Sequence, residues 1–93
     1  MLRLTDLRFD ERVSAQINLS NSQLQHDEPA QVALSTTYAA ARFNAWLFAR
    51  NNANGDDMMA RKEEAIELFC REFRQMFIEN FDDYAKNHET YLG

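Results

Sequence analysis

The stretch Val32–Ala49 reads VALSTTYAAARFNAWLFA, and it decides the fold. A helix advances about 100° per residue, which sorts these residues into two roughly opposite apolar stripes. The stripes are Leu34, Tyr38, Ala41, Ala45 and Phe48 on one side, and Val32, Ala39, Phe43, Trp46 and Leu47 on the other. A helix that is apolar on most sides belongs in a protein interior. We therefore expect other polypeptide segments to cover Trp46 and Arg42 on every side.

A membrane span is the obvious rival for so apolar a stretch. Spanning requires about 20 mostly apolar residues. Here Arg42, Asn44 and three consecutive hydroxyls at 35–37 interrupt the run. The sequence therefore predicts a core helix of a soluble protein and no membrane partner.

Helix-breaking residues on both sides of this stretch predict where the neighbouring helices begin and end. Pro29 suits a first helical turn, and Asn51–Gly55 is typical of a helix end, with Asp56 or Asp57 capping the next helix. We predict helices at about 6–24, 30–51 and 57–88. Because both connections are short, consecutive helices should run antiparallel. The expected fold is all-α, a three-helix antiparallel bundle forming a single domain over residues 1–93.

The C-terminal helix carries more aromatic surface than such a bundle can cover. At 1.5 Å per residue it would be about 45 Å long, against about 33 Å for the central helix. Its far end holds Phe77, Phe81 and Tyr84, followed by Tyr91. Because exposed aromatic patches of this size are unusual on monomers, we expect a homo-oligomer, most simply a homodimer that completes the bundle.

Composition limits the classes of binding partner and indicates the cellular compartment. The formal net charge of −5 makes the chain acidic and disfavours nucleic acid and anionic membranes. A single cysteine, Cys70, has no internal disulfide partner, which fits a reducing cytoplasm. We predict a cytoplasmic protein that binds neither nucleic acid nor membrane.

Two polar residues stand in apolar surroundings. Asn80 lies within the apolar stripe of the third helix, where a buried amide can fix helix register or contact a ligand. Arg42 lies between the two stripes of the central helix and needs a carboxylate or carbonyl partner if buried. The candidates are acids of the third helix, namely Glu72, Glu79, Asp82 and Asp83. A structural ion pair and an anion or partner site both remain open.

No motif of catalysis, cofactor binding or metal binding is recognisable. Cys70 has no base at motif spacing, and the two histidines, His26 and His88, lie in a loop and near the chain end. Glu-x-x-His pairs are absent, and Gly55 is the one internal glycine, so no glycine-rich phosphate loop exists. The sequence does not predict an enzyme.

Three stretches resemble a proteobacterial family of small helical proteins of unknown function. They are Arg12–Asn21 (RVSAQINLSN), Tyr38–Trp46 (YAAARFNAW) and Glu79–Tyr84 (ENFDDY). The second is the strongest match, and Ser20 departs from the alanine that is commoner in the family. The resemblance implies a helical cytoplasmic protein of a Gram-negative bacterium and implies no activity.

These observations support two functional hypotheses. The first is a non-enzymatic protein that self-associates and acts through protein–protein interaction, with an unidentified protein partner. The second is a small-molecule-binding protein or weak enzyme with an interhelical pocket around Arg42, Asn44 and Asn80. The candidate ligand or interface residues are Tyr38, Arg42, Asn44, Trp46, Asn80, Phe81 and Tyr84.

Overall fold

The computed structural model describes residues 7–93, which form five helices. These are α1 (Leu7–Gln23), α2 (Pro29–Arg50), α3 (Gly55–Ala60), α4 (Lys62–Lys86) and α5 (His88–Leu92). No strand occurs within this range, so the predicted all-α class is confirmed. The predicted first helical residue, at about position 6, lies outside the described residues. The arrangement of the helices as a bundle stays a prediction.

The chain divides into two compact units, Met1–Phe43 and Asn44–Gly93. In the first unit, described from residue 7, α1 meets the N-terminal part of α2. The Ser20 and Thr36 hydroxyls hydrogen-bond across the two helices at 3.2 Å. Val32, one turn before Thr36, is the sole buried residue among those described, with 6% of its surface exposed. This hydroxyl pair joins α1 to α2 about one helical turn from the buried Val32 side chain.

The second unit contains the end of α2, then α3, α4 and α5. Asn52 ties down the end of α2, because its side-chain amide donates to the Phe48 carbonyl at 2.7 Å. Asn54 is the N-cap of α3, since its side-chain oxygen accepts a hydrogen bond from the Asp57 amide at 2.9 Å. The cap is therefore Asn54 and not Asp56 or Asp57, because the helix begins at Gly55, before both aspartates.

In place of the one helix predicted over 57–88, the structure has three. The first break is at Arg61, with φ −104° and ψ 11°, and it has neither a proline nor a glycine to signal it. The second is at Asn87, whose side-chain amide donates to the Asp83 carbonyl and to its carboxylate. Asparagine side chains compete with the backbone for such local hydrogen bonds, which explains the second break.

The prediction that the central helix is covered on every side is wrong for the isolated chain. Trp46 is 50% exposed, Tyr38 is 67% exposed, and Arg42 is exposed. The apolar pattern of α2 therefore reflects surfaces that its own chain does not cover. Whether a second copy covers them stays a prediction.

Candidate interaction surface

The longest helix, α4, carries a row of four phenylalanines that we call the phenyl ladder: Phe69, Phe73, Phe77 and Phe81. The spacing of four residues places each ring over the next, with centroids 6.2, 6.3 and 5.8 Å apart. Exposure rises along the ladder, from a half-buried Phe69 to 40% at Phe73 and 61% at Phe81. The ladder is preorganised by its own ring contacts and open to solvent on its outer side, so it can bind an apolar surface.

Beyond the ladder, α5 is held against the end of α4 by a small polar cluster centred on Asp83. One carboxylate oxygen accepts from the Asn87 amide at 2.8 Å and the other from the Tyr91 hydroxyl at 2.8 Å. The Tyr84 and Tyr91 rings lie 4.7 Å apart beside it. The hydrogen bond to Asp83, and then its negative charge, raise the pKa of Tyr91 above its ordinary value of 10.0. The cluster fixes the direction in which the chain leaves α4.

A second exposed surface lies on α2 within the first unit. We call Leu34, Tyr38 and Arg42 the α2 ridge, since they too are spaced by four residues. Leu34 is 72% exposed and Tyr38 67%. Together with Gln31, Ser35 and Ala39 they line an open, mainly apolar depression. Among residues 7–43, Arg42 has no ion pair, so this surface presents an unneutralised cation beside apolar side chains.

The predicted site residues fall into separate groups. The first unit holds Tyr38 and Arg42, which the α2 ridge brings together. The second holds the other five. Among these, Phe81 is the last rung of the ladder, and Asn80 beside it donates to the Met76 carbonyl at 2.8 Å.

Asn80 is exposed, and its hydrogen bond stays within its own helix. It is therefore not a buried residue that fixes helix register within this chain. The interhelical pocket predicted around Arg42, Asn44 and Asn80 stays a prediction, because Arg42 belongs to the first unit and the two asparagines to the second.

Trp46 and Asn44 each have contacts of their own. The Arg50 guanidinium lies over the Trp46 ring, 5.5 Å from its centroid, one helical turn further along α2. Such a cation–π contact at an exposed site is worth about 0.5–1 kcal/mol. Asn44 is half-buried and has an interaction within the protein.

Sequence reasoning missed a second depression, at the corner where α2 leads into α3 and α4. Its volume is about 660 Å³, and it opens to solvent. Within its wall, Arg61 pairs with Glu64 at 3.5 Å, an exposed contact of little energetic weight. The asparagines at 51, 52 and 54 are the sequence feature that could have pointed to this depression, but by themselves they indicate only a helix end. The full lining is Phe48, Asn51, Asn52, Ala53, Asp57, Ala60, Arg61 and Glu64.

Three further properties of the described residues bear on function. Cys70 is a free, exposed thiol. Across residues 7–93 no cluster of three histidine, cysteine or carboxylate side chains is placed to share a metal ion. No described helix combines the length and apolar character needed to cross a bilayer.

Comparison with known protein families identifies the family of this chain. Residues 9–85 match the family model described as "Protein of unknown function (DUF3144)". Since the match covers most of the chain, the protein belongs to this family. Comparison with curated proteins and with solved structures finds no significant match. All three motifs noted in the sequence lie inside the matched region, and family membership agrees with the predicted likeness to small proteins of unknown function.

Proposed function

We propose that this protein is a non-enzymatic, self-associating protein of the cytoplasm that acts by binding other protein surfaces. The observation that carries the proposal is the uncovered phenyl ladder on α4. Its outer rungs, Phe77 and Phe81, are 57% and 61% exposed. Rings of this size contribute most of the binding energy at protein interfaces when they are buried.

A mass measurement in solution tests self-association. We expect sedimentation equilibrium at micromolar concentrations to give at least twice the chain mass of 10.9 kDa. The double variant Phe77→Glu/Phe81→Glu puts two charges on the ladder and should lower the mass to that of one chain, because buried charges without partners are costly. Helical content by circular dichroism should change little, since both side chains are exposed.

A matched variant on the other side of α4 controls for charge. Gln75→Glu/Lys86→Gln also makes the chain more negative by two, but it changes residues outside the apolar stripe. It should keep the wild-type mass. A wild-type protein of one chain mass at all concentrations, or equal dissociation of both variants, would contradict the proposal.

A second candidate function is the binding of a small molecule. It is favoured by the open depression beside Tyr38 and Arg42, where a few polar groups sit among apolar ones, as in many ligand sites. A thermal-shift screen tests it. A stabilising ligand should lose its effect in Arg42→Ala and keep it in Arg50→Ala, which removes the other cation of α2.

The origin and compartment are part of the proposal. We infer that the three motifs are hallmarks of a family from Gram-negative bacteria and that the protein is cytoplasmic, since its one cysteine is a free thiol. An alignment of family members across bacterial groups tests the first inference. Fractionation of cells expressing the protein, followed by blotting, tests the second.

A further inference from the structure

We propose that the corner depression binds a small organic cation, an ammonium or guanidinium group carried on an apolar body. The corner depression is the hollow where α2 leads into α3 and α4, with a volume of about 660 Å³. Every residue of its wall lies in the second unit, between positions 48 and 64. The site is therefore independent of the proposed self-association, and its residues are different from those of the depression at the α2 ridge.

Side-chain hydrogen bonds hold this corner in shape. The half-buried Asn52 donates from its side-chain amide to the Phe48 carbonyl at 2.7 Å, which ties the connection to the end of α2. The Asn54 side chain accepts from the Asp57 backbone amide at 2.9 Å and so fixes the first turn of α3. A cavity whose walls are fixed before a ligand arrives loses less conformational entropy when the ligand binds.

One carboxylate in the wall lacks a partner. Asp57 is exposed, and within residues 7–93 its side chain makes no hydrogen bond and no ion pair. The other acid of the wall, Glu64, lies 3.5 Å from the guanidinium of Arg61, which is the one basic residue of the lining. Two acids and one base leave a negative wall, and the carboxylate without a counter-charge is that of Asp57. Such a wall attracts cations.

The rest of the wall suits an organic cation. The half-buried Phe48, with Ala53 and Ala60, supplies apolar surface, and an aromatic ring attracts ammonium and guanidinium groups as well as apolar ones. The side chain of Asn51 makes no hydrogen bond in the part of the chain that the structure describes, so its oxygen can accept from an N–H donor. A hydrated metal ion would use none of the apolar surface.

Matched small molecules test the charge preference. The full chain is titrated with phenethylammonium, with phenethyl alcohol as its neutral analogue, and with the anion hydrocinnamate, all at constant ionic strength. We expect the ammonium to bind about fivefold more tightly than the alcohol, the upper range for one exposed ion pair. The anion should bind more weakly than both. Amide-resolved NMR gives each Kd and the residues that respond, which should lie between positions 48 and 64.

Two neighbouring aspartates of α3 provide a matched pair of variants. Asp57→Asn removes the carboxylate without a partner and should raise the Kd for phenethylammonium about fivefold. Asp56→Asn removes the same charge from the same helical turn, but Asp56 is not part of the wall. Its Kd should stay within about twofold of wild type, because salt screens charges that do not touch the ligand. Thermal unfolding of both variants checks that α3 is intact.

Arg61 should act in the opposite direction. Arg61→Gln removes the one cation of the wall and releases Glu64, so the Kd for phenethylammonium should fall at least about twofold. Lys62→Gln also removes one positive charge, but from a residue outside the wall, and should change the Kd less. Weaker binding in Arg61→Gln would show that the guanidinium itself holds the ligand, which overturns the assignment of a cation.

The assignment is also overturned if no amide between positions 48 and 64 responds, if the alcohol or the anion binds as tightly as the ammonium, or if Asp56→Asn and Asp57→Asn have equal effects. Self-association is a separate outcome. A wild-type monomer that binds the ammonium overturns the proposed function and leaves this site in place. A wild-type dimer that does not bind it overturns the site alone.

Discussion

Helices α2 and α4 are similar in length, 22 and 25 residues, but they differ in how their polar groups are placed. Helix α2 has no acidic residue, and two of its hydroxyls donate to its own backbone, Ser35 to the Val32 carbonyl and Thr37 to that of Ala33. Helix α4 has seven acidic residues and confines its aromatic residues to one stripe. Both nevertheless remain mostly exposed. An apolar pattern thus shows which faces of a helix need covering, whereas the identity of the covering surface is a separate question.

The largest expected effect is on the free energy of self-association, and it compares the phenyl ladder with the α2 ridge. Phe77→Ala on the ladder and Tyr38→Ala on the α2 ridge should each weaken self-association by about 2–4 kcal/mol, as aromatic residues at the centre of an interface do. Sedimentation velocity over a dilution series measures it. Leu68→Ala, on the polar side of α4, should have little effect. A loss confined to Phe77→Ala would leave the ladder as an interface and remove the ridge from it.

The next effect concerns the packing inside the first unit. Val32→Ala removes two methyl groups from the most buried side chain described and should lower the free energy of unfolding by about 1–3 kcal/mol. Urea unfolding followed by circular dichroism measures it. The control is Val13→Ala, where the side chain is 43% exposed and the loss should be smaller. Equal losses at both positions would show that Val32 is not the centre of this packing.

A smaller effect on stability is expected in the second unit, at the Asn54 N-cap of α3. Asn54→Ala removes the side-chain acceptor for the Asp57 amide and should cost about 1 kcal/mol of stability. Asn54→Asp keeps an acceptor and should cost much less. Thermal unfolding of both variants provides the comparison. Equal destabilisation by the two substitutions would contradict the capping role.

The smallest effect is on the pKa of Tyr91, which contacts Asp83 at the end of α4. The pKa of Tyr91 is raised by its hydrogen bond to the Asp83 carboxylate, so the contact is complete below pH 10.0 and is lost as the pH rises through the raised pKa. Asp83→Asn should lower the pKa of Tyr91 towards its ordinary value. Titration of the tyrosine ring signals by NMR measures this, with Tyr91→Phe identifying the signal. An unchanged pKa would show that the contact is absent in solution.

Sequence patterns predicted the helical class and the position of α2, because Pro29 and the run Asn51–Gly55 are strong local signals on either side of an apolar stretch. They did not predict the break at Arg61, where the chain leaves one helix and enters the next without a breaker. Nor could periodicity tell that Tyr38 and Trp46 would be exposed, since it reports the apolar faces of a helix and not the source of their cover. The corner depression was missed because it forms only when residues of α2, α3 and α4 come together.

The four-residue spacing shared by the phenyl ladder and the α2 ridge has a geometric consequence. Rows of this spacing are inclined to the helix axis, and two such rows interdigitate when the axes cross at about 50° rather than running side by side. Two helices that cross so steeply touch over a few turns and then diverge. The remaining turns of both helices would then stay open to a different protein.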